Sequence, residues 1–215
     1  MSQQVTSLTT REQWRPRISH PQQEVDLRAA EKAAGELLAA LGLPVEPGDP
    51  GDPGDMVETP HRMVHAFVEM LTVPSFDFTT FANTEGYDEL VLVEDIPVRS
   101  LCEHHMLPFV GTAHVGYLPG DRILGLSKLA RVVDFYARRV QTQERLTQQV
   151  AEHLQSHLRP RGVGVVVTAE HTCMTLRGAM ASGTRTVTSA LFGHLREDAA
   201  ARAEFMALTR TKEGR

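Results

Sequence analysis

Cys102-Glu103-His104-His105 and, about seventy residues later, His171-Thr172-Cys173 hold the only two cysteines of the chain, each close to histidine. Thiolate sulfur and imidazole nitrogen are the donors that a borderline-soft cation such as Zn²⁺ selects. Cys102, His105 and Cys173 make three candidate ligands, one short of a tetrahedron. An open position is what a catalytic ion needs in order to hold water. Other readings of the sulfurs stand beside this one: two buried free thiols acting as small hydrophobes, or a disulfide, which a reducing compartment disfavours. His104 and His171 are surplus to the three. They are either supporting or surface histidines, or the proton carriers that a metal-held water requires, since imidazole titrates near neutral pH.

If the chain is extended from Val163 through Arg177, then His171, Cys173, Thr175 and Arg177 share one face. A bulge or turn near His171 would break that alternation. Lys128 and Arg131 follow Ser127, which is expected to cap a helix, and lie three residues apart near a terminus that favours anions. They, like Arg177, are either a phosphate cradle or ordinary solvated charges. Glu144, in Gln141-Thr142-Gln143-Glu144-Arg145, is equally half of an intrahelical charge pair.

These side chains need elements to carry them. Leu27, Ala30, Ala33, Leu37, Leu38 and Leu41 recur at helical spacing between Val25 and Leu43, and Gly42 and Pro44 stop that helix. Residues 1–23 read as a loosely ordered polar tail, and the Pro47-to-Asp55 repeat of Gly, Asp and Pro as a linker. Thr59-Pro60-His61-Arg62 opens a second helix to about Leu71, with Thr59 as N-cap. Residues 72–87 look irregular. Glu89–Val98, Val110–Leu118, Arg122–Leu124, Val163–Thr168, Met174–Arg177 and Thr186–Leu191 read as strands. Ser127 to Leu158 reads as helix, with Thr142 marking a break and restart, and a last helix runs from about Glu197 to Leu208. The expected fold is α+β: an antiparallel sheet with helices on one face, spanning 88–215, after a helical region over 24–87.

The chain has 215 residues, 41% of them apolar and 23% charged, which suits one substantial globular core. A net charge of −5 argues against bulk attraction to nucleic acid, so an anionic ligand needs a local basic cluster. No apolar run is long enough to span a membrane. The opening residues lack the pattern of a secretory signal, and a cytoplasmic location is expected.

Five motifs in order resemble the GTP cyclohydrolase I family: Ser100-Leu101-Cys102-Glu103-His104-His105, Gly125-Leu126-Ser127-Lys128-Leu129-Ala130-Arg131, Gln143-Glu144-Arg145-Leu146-Thr147, His171-Thr172-Cys173-Met174 and Thr186-Val187-Thr188-Ser189. The resemblance covers roughly residues 25–210. It implies the tunnelling fold, in which subunits pool antiparallel strands into the barrel of a toroidal homodecamer with active sites at subunit junctions. It implies conversion of GTP and water into 7,8-dihydroneopterin triphosphate and formate, at the head of tetrahydrofolate and pterin biosynthesis. Carried over by motif, Cys102, His105 and Cys173 bind Zn²⁺, and water activated there attacks C8 of guanine. His104 and His171 transfer protons, and Glu144 with Gln143 beside it reads the guanine edge. Ser127, Lys128, Arg131, Arg177 and Arg62 hold ribose and triphosphate, Arg62 from the Thr-Pro-x-Arg motif. Thr112, Thr142 and the Glu170-His171-Thr172 wording depart from the usual pattern without touching a proposed ligand. Two other classes remain: a different tunnelling-fold pterin or deazapurine enzyme, and a non-catalytic zinc or purine-binding oligomer.

Overall fold

The computed structural model describes residues 25–48, 56–73 and 75–210. The polar start of the chain and most of the Gly/Asp/Pro repeat lie outside the described residues. The chain divides into a helical unit ending at Thr72 and a larger unit that begins at Val73.

The helical unit is a pair of packed helices, α1 (Leu27–Ala40) and α2 (Thr59–Leu71). Asp26 caps α1 by accepting from Ala29 N at 3.0 Å. The expected cap of α2 is corrected: Thr59 is already the first helical residue, Glu58 precedes it without a side-chain bond, and Pro60 sits in the first turn. Proline is tolerated there because that N–H has no intrahelical acceptor.

The larger unit contains β1 (Thr80–Ala82), β2 (Val91–Cys102), β3 (Pro108–Leu118), β4 (Arg122–Leu124), α3 (Ser127–Ala137), β5 (Val140–Gln141), α4 (Gln143–Leu158), β6 (Gly162–His171), α5 (Thr172–Thr175), β7 (Thr186–Gly193), α6 (His194–Glu197) and α7 (Ala199–Leu208). The main sheet has five strands in the order β5-β2-β3-β6-β7. It is antiparallel except for the short β5, which runs parallel to β2. The short β1 lies in the stretch expected to be irregular and pairs with β4.

Odd residues of β6 (Val163, Val165, Val167, Ala169) join the core formed with α3 and α4. Val166 belongs to a second cluster with Leu118, Leu195 and Phe205. One end of the even face is therefore covered too, by α6 and α7, so the helices are not confined to one face as expected, while Val110 and Val187 on the rest of it stay exposed. A cross-strand glycine pair, Gly116 opposite Gly164, makes room for Phe205. A Cβ on Gly164 would fall 2.6 Å from the Phe205 ring.

The expected strand from Met174 to Arg177 is absent. The chain leaves β6 at His171 and turns through the helical α5. Ser127 does not cap α3; it is the first helical residue, and Leu126 before it makes no side-chain bond. Thr142 behaves as expected, capping α4 by accepting from Arg145 N at 3.2 Å. The terminal helix is split, with Asp198 capping α7 through Ala201 N at 2.8 Å.

Candidate active site

Three segments meet at one end of the sheet. β2 ends on Cys102 and turns through Glu103–His105 into β3, β6 ends on His171, and α5 carries Cys173. One ligand atom from each of Cys102, His105 and Cys173 lies within 4.8 Å of the other two. The two sulfurs are 3.9 Å apart. That is about twice a disulfide length, and close to the ~3.8 Å edge expected when two thiolates share a tetrahedral ion at ~2.3 Å. Both cysteines are free, Cys102 buried and Cys173 half-buried. The Cys173 thiol is pushed up by burial, then by its hydrogen bond with Cys102 and repulsion from that sulfur; nearby Arg177 lowers it. A cation between the sulfurs reverses that balance, because a coordinating thiol is deprotonated outright. The donor set and its spacing fit a zinc-like ion. Among the described residues no fourth ligand joins this cluster.

The turn that brings Cys173 back is what the alternation argument missed. His171 still lies on the odd face of β6, towards α4, but Cys173 reaches Cys102 through a helical turn rather than two residues further along a strand. Thr172 secures this turn by donating from Oγ1 to Pro108 O at 2.6 Å.

The environment of His171 sets its tautomer. The Gln143 amide nitrogen donates to Val167 O and Thr186 O, both at 3.0 Å, and contacts Thr188 Oγ1 at 3.1 Å. Carbonyl oxygens only accept, so the amide cannot be flipped, and Oε1 must face His171 Nε2 at 2.8 Å. Nε2 therefore carries the proton, and the lone pair of the neutral ring sits on Nδ1. Burial lowers the His171 pKa, partly offset by the charge of Glu144. Phe109, its register partner across β3 and β6, stacks on the ring at 4.6 Å and 10°.

His104 is more open, with Nδ1 3.7 Å from Cys102 Sγ and its side chain 65% exposed. Glu144 is exposed in the first turn of α4. Its neighbour Arg145 turns away to Glu103, and also donates to Gln141 Oε1 at 2.8 Å and Val140 O at 3.2 Å. Glu103 N in turn donates to Gln141 O at 3.0 Å. Arg145 thus staples the Cys102–His105 turn to the start of α4. This role, like those of Phe109 and Gln141, was missed by sequence reasoning. The only available signal was that Arg145 adjoins Glu144.

The structure sets Ser127, Lys128 and Arg131 apart from the cysteine end of their unit. Ser100 Oγ donates to Arg139 O at 3.1 Å, and Gln141 lies opposite Cys102 in the sheet, so α3 ends beside the cysteine. Ser127 and Lys128 begin that helix, roughly 14 Å away along its axis, with Arg131 about 9 Å away. Arg177 is exposed and close enough to Cys173 to affect its charge. Arg62 belongs to the helical unit, where Nη2 donates to Thr59 Oγ1 at 3.3 Å.

Comparison with known proteins supplies what geometry alone leaves unstated. The family GTP cyclohydrolase I matches residues 30–210. The GTP cyclohydrolase 1 of Thermobifida fusca is 51% identical over 190 residues, covering 86% of this chain and 88% of that protein. That of Streptomyces avermitilis is 52% identical over 191 residues, with 86% and 91% covered. That of Caldanaerobacter subterraneus subsp. tengcongensis is 46% identical over 193 residues, with 87% and 99% covered. A match of this extent, over the strands and turns that assemble the two cysteines and the histidines, means that the chain belongs to the GTP cyclohydrolase I family.

Proposed function

We propose that this protein converts GTP and water into 7,8-dihydroneopterin triphosphate and formate, opening the guanine imidazole ring at C8. The observation that carries the proposal is the gathering of Cys102, His105 and Cys173 within 4.8 Å of one another, with no fourth ligand in that cluster among the described residues. These three residues hold the ion, and Zn²⁺ suits two sulfurs and one imidazole best. Once bound, it supplies Lewis acidity and a water whose pKa falls toward ~7.

His171 takes up a proton at Nδ1 and returns it as the ring opens and formate departs, while Gln143 keeps the other nitrogen protonated. Phe109 holds the ring plane fixed and shields it from water. His104, open to solvent beside Cys102, exchanges the second proton with bulk water. Glu144 accepts two parallel N–H bonds from the guanine edge. Adenine lacks that edge and would leave the carboxylate unpaired, which discriminates strongly against it.

Ser127, Lys128, Arg131 and Arg177 hold ribose and triphosphate, with Arg62 contributing. Because Ser127, Lys128 and Arg131 lie towards the start of α3, away from the end beside Cys102, their contacts are completed between copies of the protein. β7 supports this reading: it is the edge of the main sheet, and Val187 on it is 61% exposed. An uncovered edge strand favours pairing with another chain. We assign a homodecamer whose pooled strands form a barrel, acting in the cytoplasm where the paired thiols stay reduced.

GTP labelled at C8 tests the proposal. Labelled formate and a fluorescent pterin are expected to form together, and a chelator should stop both. Metal and GTP binding without formate would overturn the enzymatic reading.

A further inference from the structure

A second group of ligand-type side chains lies within the helical unit and plays no part in the reaction above. Glu31 of α1 faces His61 and His65 of α2, and one donor atom from each lies within 4.8 Å of the others. Glu31 Oε1 is 2.9 Å from His61 Nδ1 and 3.4 Å from His65 Nε2. The two rings are one helical turn apart, with centroids 4.2 Å from each other. Nitrogen and oxygen ligands bind zinc at ~2.0–2.2 Å, so the edges of such a tetrahedron are roughly 3.3–3.5 Å. The 3.4 Å separation matches that edge, and the 2.9 Å contact, a hydrogen bond without metal, opens by about 0.5 Å to reach it. We propose that Glu31, His61 and His65 form a second divalent-metal site, for Zn²⁺, Co²⁺, Ni²⁺ or Cu²⁺, which clips α1 to α2.

Three features favour a chelate over a surface charge pair. Glu31 Oε1 lies near both imidazole nitrogens, so a single cation can reach all three donors. Lys32, next to Glu31 in the chain, lies 3.6 Å from Glu36 instead. Gly35, one turn beyond Glu31, lies against Pro60, an added Cβ falling 3.7 Å from the Pro60 ring, so the helices approach closely beside the group. His153 and His157 on α4, the chain's other histidine pair at this spacing, form no such three-donor group among the described residues. The positive end of α2 opposes a cation near His61, so this site binds more weakly than the cysteine site. Exposed side chains make it exchangeable; the two histidines are 53% and 47% exposed.

Cobalt distinguishes the two sites, because only thiolate ligation gives a near-ultraviolet sulfur-to-metal charge-transfer band. The full chain, stripped with a chelator and dialysed against saturating Co²⁺, is expected to hold two equivalents per chain, one with that band and one without. His61→Ala/His65→Ala should lose the silent equivalent and keep the band and formate release. Cys102→Ser/Cys173→Ser should lose the band and keep the silent equivalent, which separates failure of this site from failure of the catalytic one. Glu31→Gln, of the same shape, should weaken the silent equivalent at least tenfold. A single equivalent in the unaltered protein, or a silent equivalent that survives His61→Ala/His65→Ala, would overturn the site.

Discussion

At the residue scale, Gln143 carries more than its place beside Glu144 suggests. Its side chain is buried, and it spans β6, β7 and His171. Gln143→Ala is therefore expected to lower kcat roughly 10–100-fold with metal content unchanged, the usual cost of losing a group that orients a reactive side chain. Elemental analysis beside the formate assay checks this. His104→Ala should also keep its metal and lose roughly 10²–10⁴ in kcat, the range of a general acid or base. Cys173→Ser should lose both metal and turnover. Formate release that persists in Cys173→Ser would remove that cysteine from the ligand set.

At the element scale, the last helix buries one aromatic ring in a glycine-lined slot, with Ala201 and Met206 packed beside it. Phe205 is fully buried over Gly116 and Gly164. Phe205→Ala is expected to cost about 3–5 kcal/mol in urea unfolding, because the glycine backbone that floors the slot has no side chain to move into the void. Thr142→Ala removes the α4 cap and should cost about 1 kcal/mol. It should also loosen Gln143 and Glu144, so that KM for GTP rises as stability falls.

At the scale of the whole molecule, acid tests the core. His153 is buried behind Tyr136, whose hydroxyl lies 3.0 Å from Nδ1, and burial, with repulsion from His157 second, pushes its pKa down to about 3. The unfolded chain takes up this proton near pH 6.5, whereas the folded chain refuses it until about pH 3. Stability is thus complete above ~6.5, falls as pH drops towards 3 by at most about 1.4 kcal/mol per pH unit, and levels off below. Denaturant melts between pH 7 and 5 should show that slope, and His153→Gln should flatten it. Assembly is tested separately. Co-refolding Lys128→Ala with Cys173→Ser should restore formate release that neither variant has alone; without recovery, the contacts lie within one chain.

Sequence alone nominated the chemistry: two cysteines close to histidine are a donor set for a borderline-soft metal, whatever path joins them, because ligand identity is a property of residue type. Period and caps likewise located α1, α4, β3 and the break at Thr142, since these are local preferences of the backbone. What tertiary structure decided is where things meet. Strand alternation, a local rule, could not foresee that the chain stops being extended at His171 and reaches Cys102 through a helical turn held by Pro108 O. Phe109 stacks on His171 only because β3 and β6 adopt one register, and register is set by packing across the whole sheet. The same holds for α7 on the second face, for Arg145 pairing with Glu103 rather than its neighbour, and for Glu31 meeting two histidines thirty and more residues away. Each is a contact between distant segments, and no spacing within a segment encodes it.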